Sequence, residues 1–398
     1  MRIGLICHAG FGGSAKVAVG LAGQMAEAGH RVHVFCRRNA AFLEELPLAV
    51  SAHLVEGAAP HSRDRLDLAW PATDLDKLTS LIVDVARTEG LDVLHVHYAL
   101  PFAFLAAGLR TVLGDLCPRL IATLHGTDVS VYGRDPMVGP QLDGALRSLD
   151  ALTTVSISHA QLARRVFGWT RPPEVIPNFV DLTRWRPHHA GRVRPHRPRI
   201  AHVSNFRPVK ATESVARVFL TVRHRMASTL WLIGDGADMA AVDEILDDGG
   251  VNEDIRHFGL RPDVHRILPR ADLLLMTSRS ESFCLAALEA QACGVPVVAP
   301  RVGGIPEVVD DGVTGALFDP GDEEAASAGV LSILQDPERA ALMAKRGVER
   351  AGLFASDKVA LRYLALYQRV VATPTGAPPN GATPTGARPD SARPDGGR

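Results

Sequence analysis

Along the first half of the chain, short apolar runs alternate with stretches of helical periodicity. Ile3–Cys7 reads as a buried strand, Ser14–Ala28 as a helix and Arg31–Cys36 as a second strand. Val93–Val96 is a further strand, a helix starts at Pro101, and Leu120–Leu124 and Ala151–Val155 are strands again. This alternation predicts a parallel sheet covered by helices.

The pattern stops over 184–198, where Pro, Gly and unpatterned charge mark a connector. A second series starts with the strand Arg199–Val203 and a helix from about Thr212. Leu230–Gly234, Leu273–Met276 and Val295–Ala299 are its later strands, followed by helical stretches over 323–335 and 337–352. A last helix starts near Ser356, whose hydroxyl is placed to cap it. Domains are therefore expected over 1–183 and 199–355, with a final helix over 356–372. Two doubly wound domains on a hinge would enclose a cleft at the C-terminal ends of both sheets. Residues 373–398, rich in Pro and Gly and nearly without apolar side chains, read as a disordered tail.

Composition narrows the function classes. With 398 residues, a net charge of −1 and 22% charged residues, nothing suggests a nucleic-acid binder or an electrostatic membrane anchor. No apolar stretch is long enough to span a bilayer, and the N-terminal run is too short for a signal peptide, so a cytoplasmic protein is expected. The five cysteines are widely spaced, without a Cys-x-x-Cys pair, which argues against a disulfide framework or a zinc site.

The candidate chemistry lies at strand ends. Glu281 and Glu289 have seven residues between them on a loop running into a helix. That spacing separates the carboxylates by roughly 12 Å, at ~1.5 Å per helical residue. One can meet a sugar at the helix N-terminus and the other a more distant part of the same ligand. The backbone N–H groups of Ser282, Phe283, Cys284 and Leu285 would face phosphates between them. Arg207 and Lys210 follow the first strand of the second half, a planar fork and a point charge suited to a departing diphosphate. His125-Gly126-Thr127-Asp128 follows the strand Leu120–Leu124; its imidazole could polarise a sugar hydroxyl or accept a proton and Thr127 and Asp128 could bond sugar or acceptor, or Asp128 could simply cap a local turn. Gly10-Phe11-Gly12-Gly13-Ser14 opens the first helix and would let a ligand approach the backbone, or is an ordinary tight turn. A dinucleotide fingerprint is absent there, because the Gly-x-Gly-x-x-Gly spacing is missing and Cys36-Arg37-Arg38 ends the second strand. His95 and His97 share a strand face, which favours packed histidines beside a cleft-facing Tyr98 over a metal pair. Asp-x-Asp occurs only as Asp74-Leu75-Asp76 in a polar helix start, so protein cations, and no bound metal, are expected to neutralise a diphosphate.

From Met1 to about residue 370 the chain resembles the retaining GT-B glycosyltransferases, a family that includes glycogen synthase-like and mannosyltransferase enzymes. Glu281 to Glu289 is similar to that family's E-x7-E signature, and Ala292-Cys-Gly-Val-Pro296 and Gly303-Gly-Ile-Pro-Glu307 are close to its usual wording. The resemblance implies two Rossmann-like domains facing a cleft, with the helix over 356–372 crossing back to the first. It implies that Glu281 contacts the donor sugar, Glu289 the ribose and Arg207 and Lys210 the diphosphate, with His125 beside the reacting sugar. His95–Pro101, Thr123–Asp128, Ile176–Phe179 and His202–Arg207 also resemble the N-acetylglucosaminyl-malate synthases of bacillithiol biosynthesis. That likeness implies UDP-N-acetylglucosamine as donor, L-malate as acceptor, retained anomeric configuration, no cofactor, and front-face attack assisted by the leaving phosphate. Gly13 is expected on the donor side, and Ser14, Tyr98, Thr127 and Asp143 as acceptor contacts; a homodimer is left open.

Three positions depart from the pattern. Cys284 stands where the family has Gly, Ala15 replaces a turn glycine, and Asp143 stands where malate-using relatives carry Arg. An acidic residue facing a dicarboxylate would repel it, so an aminocyclitol, inositol phosphate or aromatic amine is the alternative acceptor. A sugar-nucleotide-binding protein without transfer activity and a nicotinamide-dependent oxidoreductase are the other classes to be weighed.

Overall fold

The computed structural model describes residues 1–8, 10, 12–38, 42–56, 70–188 and 197–373. The first sheet has seven parallel strands: β1 (Arg2–Ile6), β2 (Arg31–Arg37), β3 (Val50–Val55), β4 (Val93–His97), β5 (Arg119–Leu124), β6 (Ala151–Thr154) and β7 (Glu174–Val175). Their order is β3-β2-β1-β4-β5-β6-β7, so the chain winds outward from β1 in one direction and then, from β4, in the other. The second sheet has six parallel strands: β8 (Arg199–Val203), β9 (Thr229–Ile233), β10 (Ile255–Gly259), β11 (Leu273–Leu275), β12 (Val297–Pro300) and β13 (Gly315–Phe318). It repeats the plan as β10-β9-β8-β11-β12-β13. In each sheet the order reverses beside the first strand, and loops diverging there leave a crevice at the strands' C-terminal ends.

Central strands are buried on both faces, as continuous apolar runs require. Ile3, Leu5, Val93, Val96, Leu120 and Ala122 are fully enclosed in the first sheet, as are Ile200, Leu232, Leu274 and Val297 in the second. The helix Ser356–Ala372 packs Val359, Tyr363, Leu366 and Tyr367 into the same core as Leu5, Val34 and Val93. It follows a short parallel bridge between Val180 and Ala355, where the chain crosses between the sheets.

Some local expectations are corrected. Ser356 is the first residue of its helix, with Ala355 in the cap position, and its hydroxyl makes no capping bond. The first helix starts at Gly13, one residue before the periodic pattern does. Asp74 and Asp76 lie in the helix Ala72–Thr88, where Asp74 is buried against Arg37 at 3.0 Å. Of the expected connector, 189–196 lies outside the described residues, as does the expected tail from 374 onward. Among the described residues, no helix is long and apolar enough to cross a membrane.

Candidate active site

The facing sheet edges enclose a cleft of about 380 Å³. Its lower wall is built on β8, β9 and the loop after β11. Arg207 follows β8, and Lys210 closes the turn Pro208–Lys210 that leads into the helix Thr212–Arg225. Gly234 and Gly236 let this loop sit close: a Cβ on Gly234 would lie 1.8 Å from the Ser204 carbonyl oxygen, and one on Gly236 2.0 Å from that of Asn205. Thr277 Oγ1 donates to the carbonyls of Lys210 and Ala211 at 3.1 and 3.0 Å, tying the two loops together.

Lys210 Nζ and Ser278 Oγ both donate to Glu281 Oε1, at 2.6 and 2.8 Å. Arg207, by contrast, has no carboxylate partner among the described residues, and its buried Nε has no acceptor. A guanidinium held in a cleft without a counter-ion is suited to an incoming anion.

The helix Leu285–Ala292 points its N-terminus into the same space. The Gly-Gly pair of Gly303-Gly304-Ile305-Pro306-Glu307 lies directly beneath that loop. A Cβ on Gly303 would stand 1.8 Å from the Glu281 carbonyl oxygen, and one on Gly304 2.3 Å from that of Ser282. Gly304 N–H donates to Glu281 O at 3.0 Å, so this motif acts as the floor on which the 281–285 backbone rests. Cys284, in the cap position, has φ +79°, the left-handed region that favours glycine. Its thiol is buried, and burial pushes it up, so it stays protonated. Phe283 turns its ring against Phe354, with centroids 5.7 Å apart, and offers the cleft mainly its backbone.

Glu289 is buried, and burial raises its carboxyl above the usual range, with the Lys16 ammonium opposing that shift. Lys16 comes from the helix Gly13–Glu27 of the first domain and pairs with Glu289 across the cleft. Its Nζ also sits 4.1 Å over the Trp185 ring.

The upper wall carries Gly13, Ser14, Tyr98, His125 and Thr127. Gly13 packs so closely on Leu285 that a Cβ there would lie 2.8 Å from Leu285 Cδ1. Tyr98 bonds its hydroxyl to Thr127 Oγ1. Asp128 is not a ligand candidate: its buried carboxylate accepts from the backbone N–H of His125 at 3.0 Å, Gly126 at 2.7 Å and Val129 at 3.1 Å. It shapes the turn that presents His125. Burial lowers the His125 pKa well below its ordinary value, and the neighbouring imidazoles of His97, His159 and His8 add to this, so the ring is neutral.

Asp143 is the one proposed contact that the fold directs elsewhere. It lies in the helix Val138–Arg147, away from the cleft lining. Its carboxylate accepts from Arg147 Nε at 2.9 Å and from Trp169 Nε1 at 2.6 Å. The i,i+4 spacing of Asp143 and Arg147 was the sequence signal for that partner.

Several residues that sequence reasoning did not place also belong to this region. Ser156 Oγ donates to Ser282 O at 2.6 Å, and Ser282 Oγ donates to His125 O, linking the two walls. Both oxygens of Glu307 accept from the first helix turn of the other domain, Ile157 N–H and Ser158 N–H, at 2.8 Å each. Arg184 bonds Glu45 at 2.6 Å and His265 Nδ1 at 3.2 Å.

Two doubly wound sheets with cations, a helix N-terminus and two carboxylates on one wall of their common cleft define an enzyme of the GT-B class. The description Glycosyltransferase Family 4 matches residues 11–184, and Glycosyl transferases group 1 matches residues 197–336. The N-acetyl-alpha-D-glucosaminyl L-malate synthase of Bacillus anthracis is 30% identical over 380 residues, covering 93% of this chain and 97% of the relative. A D-inositol 3-phosphate glycosyltransferase of Thermobispora bispora is 29% identical, covering 92% and 93% of the two chains. Among solved structures, a sucrose-phosphate synthase from Thermosynechococcus elongatus superposes with a TM-score of 0.79 at 22% identity, covering 94% of this chain and 99% of that one. Anabaena Alr3699/HepE in complex with UDP and glucose gives 0.76 at 18% identity, covering 92% and 99%. The chain belongs to the GT-B glycosyltransferase group 1 family.

Proposed function

We propose that the protein is a retaining, metal-independent glycosyltransferase that moves N-acetylglucosamine from UDP-N-acetylglucosamine to a small hydroxylated acceptor, with L-malate as the first candidate. The observation that carries this reading is the convergence on one wall of Arg207, without a carboxylate partner among the described residues, of Lys210 and of the N-terminus of the helix Leu285–Ala292. Those groups suit a diphosphate. Glu281 and Glu289 flank them, where a sugar and a ribose on either side of a diphosphate would lie. The similarity to the N-acetyl-alpha-D-glucosaminyl L-malate synthase of Bacillus anthracis supports an N-acetylglucosaminyl group and L-malate as the two parts joined. Asp143 no longer opposes malate, since Arg147 and Trp169 hold its carboxylate outside the cleft.

In the reaction the bond between the sugar C1 and the β-phosphate oxygen breaks. The acceptor oxygen bonds C1 on the same face, and its proton passes to the leaving phosphate. Arg207 and Lys210 neutralise the charge that grows on the diphosphate, in a cleft where fixed cations act more strongly than in water. Glu281 orients the sugar and Glu289 holds the ribose. Similarity to the Thermobispora bispora relative supports a second reading in which an inositol phosphate is the acceptor.

A mass-spectrometric product assay decides between them. Purified protein and UDP-N-acetylglucosamine are offered L-malate, inositol 1-phosphate, 2-deoxystreptamine and aminobenzoates in parallel. A malate conjugate supports the first reading. Conjugation of another acceptor with malate inert overturns the acceptor assignment, and no conjugate from any of them overturns the donor as well.

A further inference from the structure

Behind His125 lies a buried column of polar rings. His125 Nε2 is 3.1 Å from His97 Nδ1, and the His97 ring packs on His95 with centroids 4.2 Å apart and the ring planes tilted by 41°. His95 is fixed at both nitrogens, by Tyr367 Oη on the C-terminal helix and by Thr123 Oγ1, each at 2.7 Å. His97 Nε2 is buried and has no partner among the described residues. Burial holds all three imidazoles neutral.

One proton therefore lies between His97 Nδ1 and His125 Nε2, and its owner sets what His125 shows the cleft. If His125 owned it, His97 would carry its own proton on the partnerless Nε2, leaving a buried N–H without an acceptor. Such orphaned donors are rare. His125 would then turn a bare lone pair toward the ligand. If His97 owns it, the partnerless atom is only a lone pair, and His125 carries its proton on Nδ1.

We propose that His97 is a positioning residue whose Nδ1–H donates to His125 Nε2, locking His125 as the neutral Nδ1–H tautomer. His125 then serves the bound sugar as a hydrogen-bond donor. With Nε2 engaged and Nδ1 protonated, it has no free lone pair and cannot take the acceptor's proton. The ring nitrogen facing a ligand is chosen by the bond made at the other one. His95, held by Tyr367 and Thr123, packs against the His97 ring and limits its movement. This role in catalysis rests on the glycosyltransferase reading, whereas the tautomer itself does not.

The two are tested separately. Long-range 1H–15N spectra of the full, unliganded chain carrying 15N-imidazole histidine report each ring's protonated nitrogen, with His125 assigned from its missing signal in His125→Asn. A protonated Nδ1 and a bare Nε2 on His125 are expected; a protonated Nε2 overturns the proposal whatever the enzyme transfers. In the product assay, His97→Leu should lower kcat by roughly 10- to 100-fold, the usual cost of losing an orienting partner, with donor KM little changed. His97→Asn, whose side-chain amide can supply the donor at the Nδ1 position, should recover most of that loss. Equal kcat in folded His97→Leu, or no recovery in folded His97→Asn, overturns the positioning role; if His97→Leu does not fold, the spectra and His97→Asn decide.

Discussion

At the level of single residues, the proposed donor site turns on the Lys16–Glu289 pair. In the proposed ribose role Glu289 accepts most strongly when ionised, yet burial favours its protonated form. Lys16 is the charge that opposes this. Removing the carboxylate in Glu289→Ala should weaken UDP binding about 10- to 100-fold, the equivalent of one charge-assisted hydrogen bond; unchanged affinity by calorimetry would remove Glu289 from the ribose site. In Lys16→Met the carboxyl should take up a proton at higher pH than in the unaltered protein. UDP affinity in that variant should therefore fall as pH is lowered, over a range above the one in which the unaltered protein weakens, and Lys16→Arg should restore it. Stability runs the opposite way. A carboxyl whose folded pKa is raised favours the fold at low pH and loses that contribution as pH rises, so Lys16→Met should lose most stability at alkaline pH.

Among elements, the loop 281–285 depends on the glycine pair beneath it. Gly303→Ala would combine φ +52° with a Cβ driven into the Glu281 carbonyl. A loss of about 2 kcal/mol or more in stability is expected, together with loss of turnover, measured by denaturant unfolding and the product assay. The sequence made this region legible because glycines, cations and carboxylates fall directly after apolar strands. It was also enough for the central strands, whose runs are continuous. The edge strands β3 and β10 were not recovered, since Val50–Val55 and Ile255–Gly259 are partly exposed and mix His, Ser and Arg with apolar residues. Strand β7 has two residues, too few for any period to register. Asp143 was misplaced because a helix position alone does not show which side faces the cleft. Trp169, which completes its hydrogen bonding, is 26 residues away. Cross-domain partners such as Glu307 and Ile157, 150 residues apart, leave no local signal at all.

Across the whole molecule, these contacts join the two walls of the cleft. Glu307 reaches the N-terminus of the helix Ile157–Phe167, where two N–H groups with no acceptor inside the helix donate to it and the helix dipole favours a carboxylate. Glu307→Ala should loosen closure and raise the share of donor lost to water relative to transfer, read as free sugar against conjugate; an unchanged ratio would mean that Glu307 is only a helix cap. Buried neutral histidines shape the acid response. Burial lowers His95 to about 3 and His202 to about 4. Their folded pKa values lie below the unfolded one near 6.5, so the unfolded chain binds protons first and stability falls as pH drops from about 6.5 toward 4 and 3. The thermal midpoint should decline over that interval, and a flat profile would contradict the burial of His95 and His202 as neutral rings. The central claim, retaining transfer driven by protein cations, is tested most directly by following UDP-N-acetylglucosamine and L-malate by 1H NMR in excess EDTA. Growth of an α-anomeric signal as the donor signal declines is the predicted result. A β-configured product, or turnover that stops with EDTA and returns with a divalent metal, would contradict it.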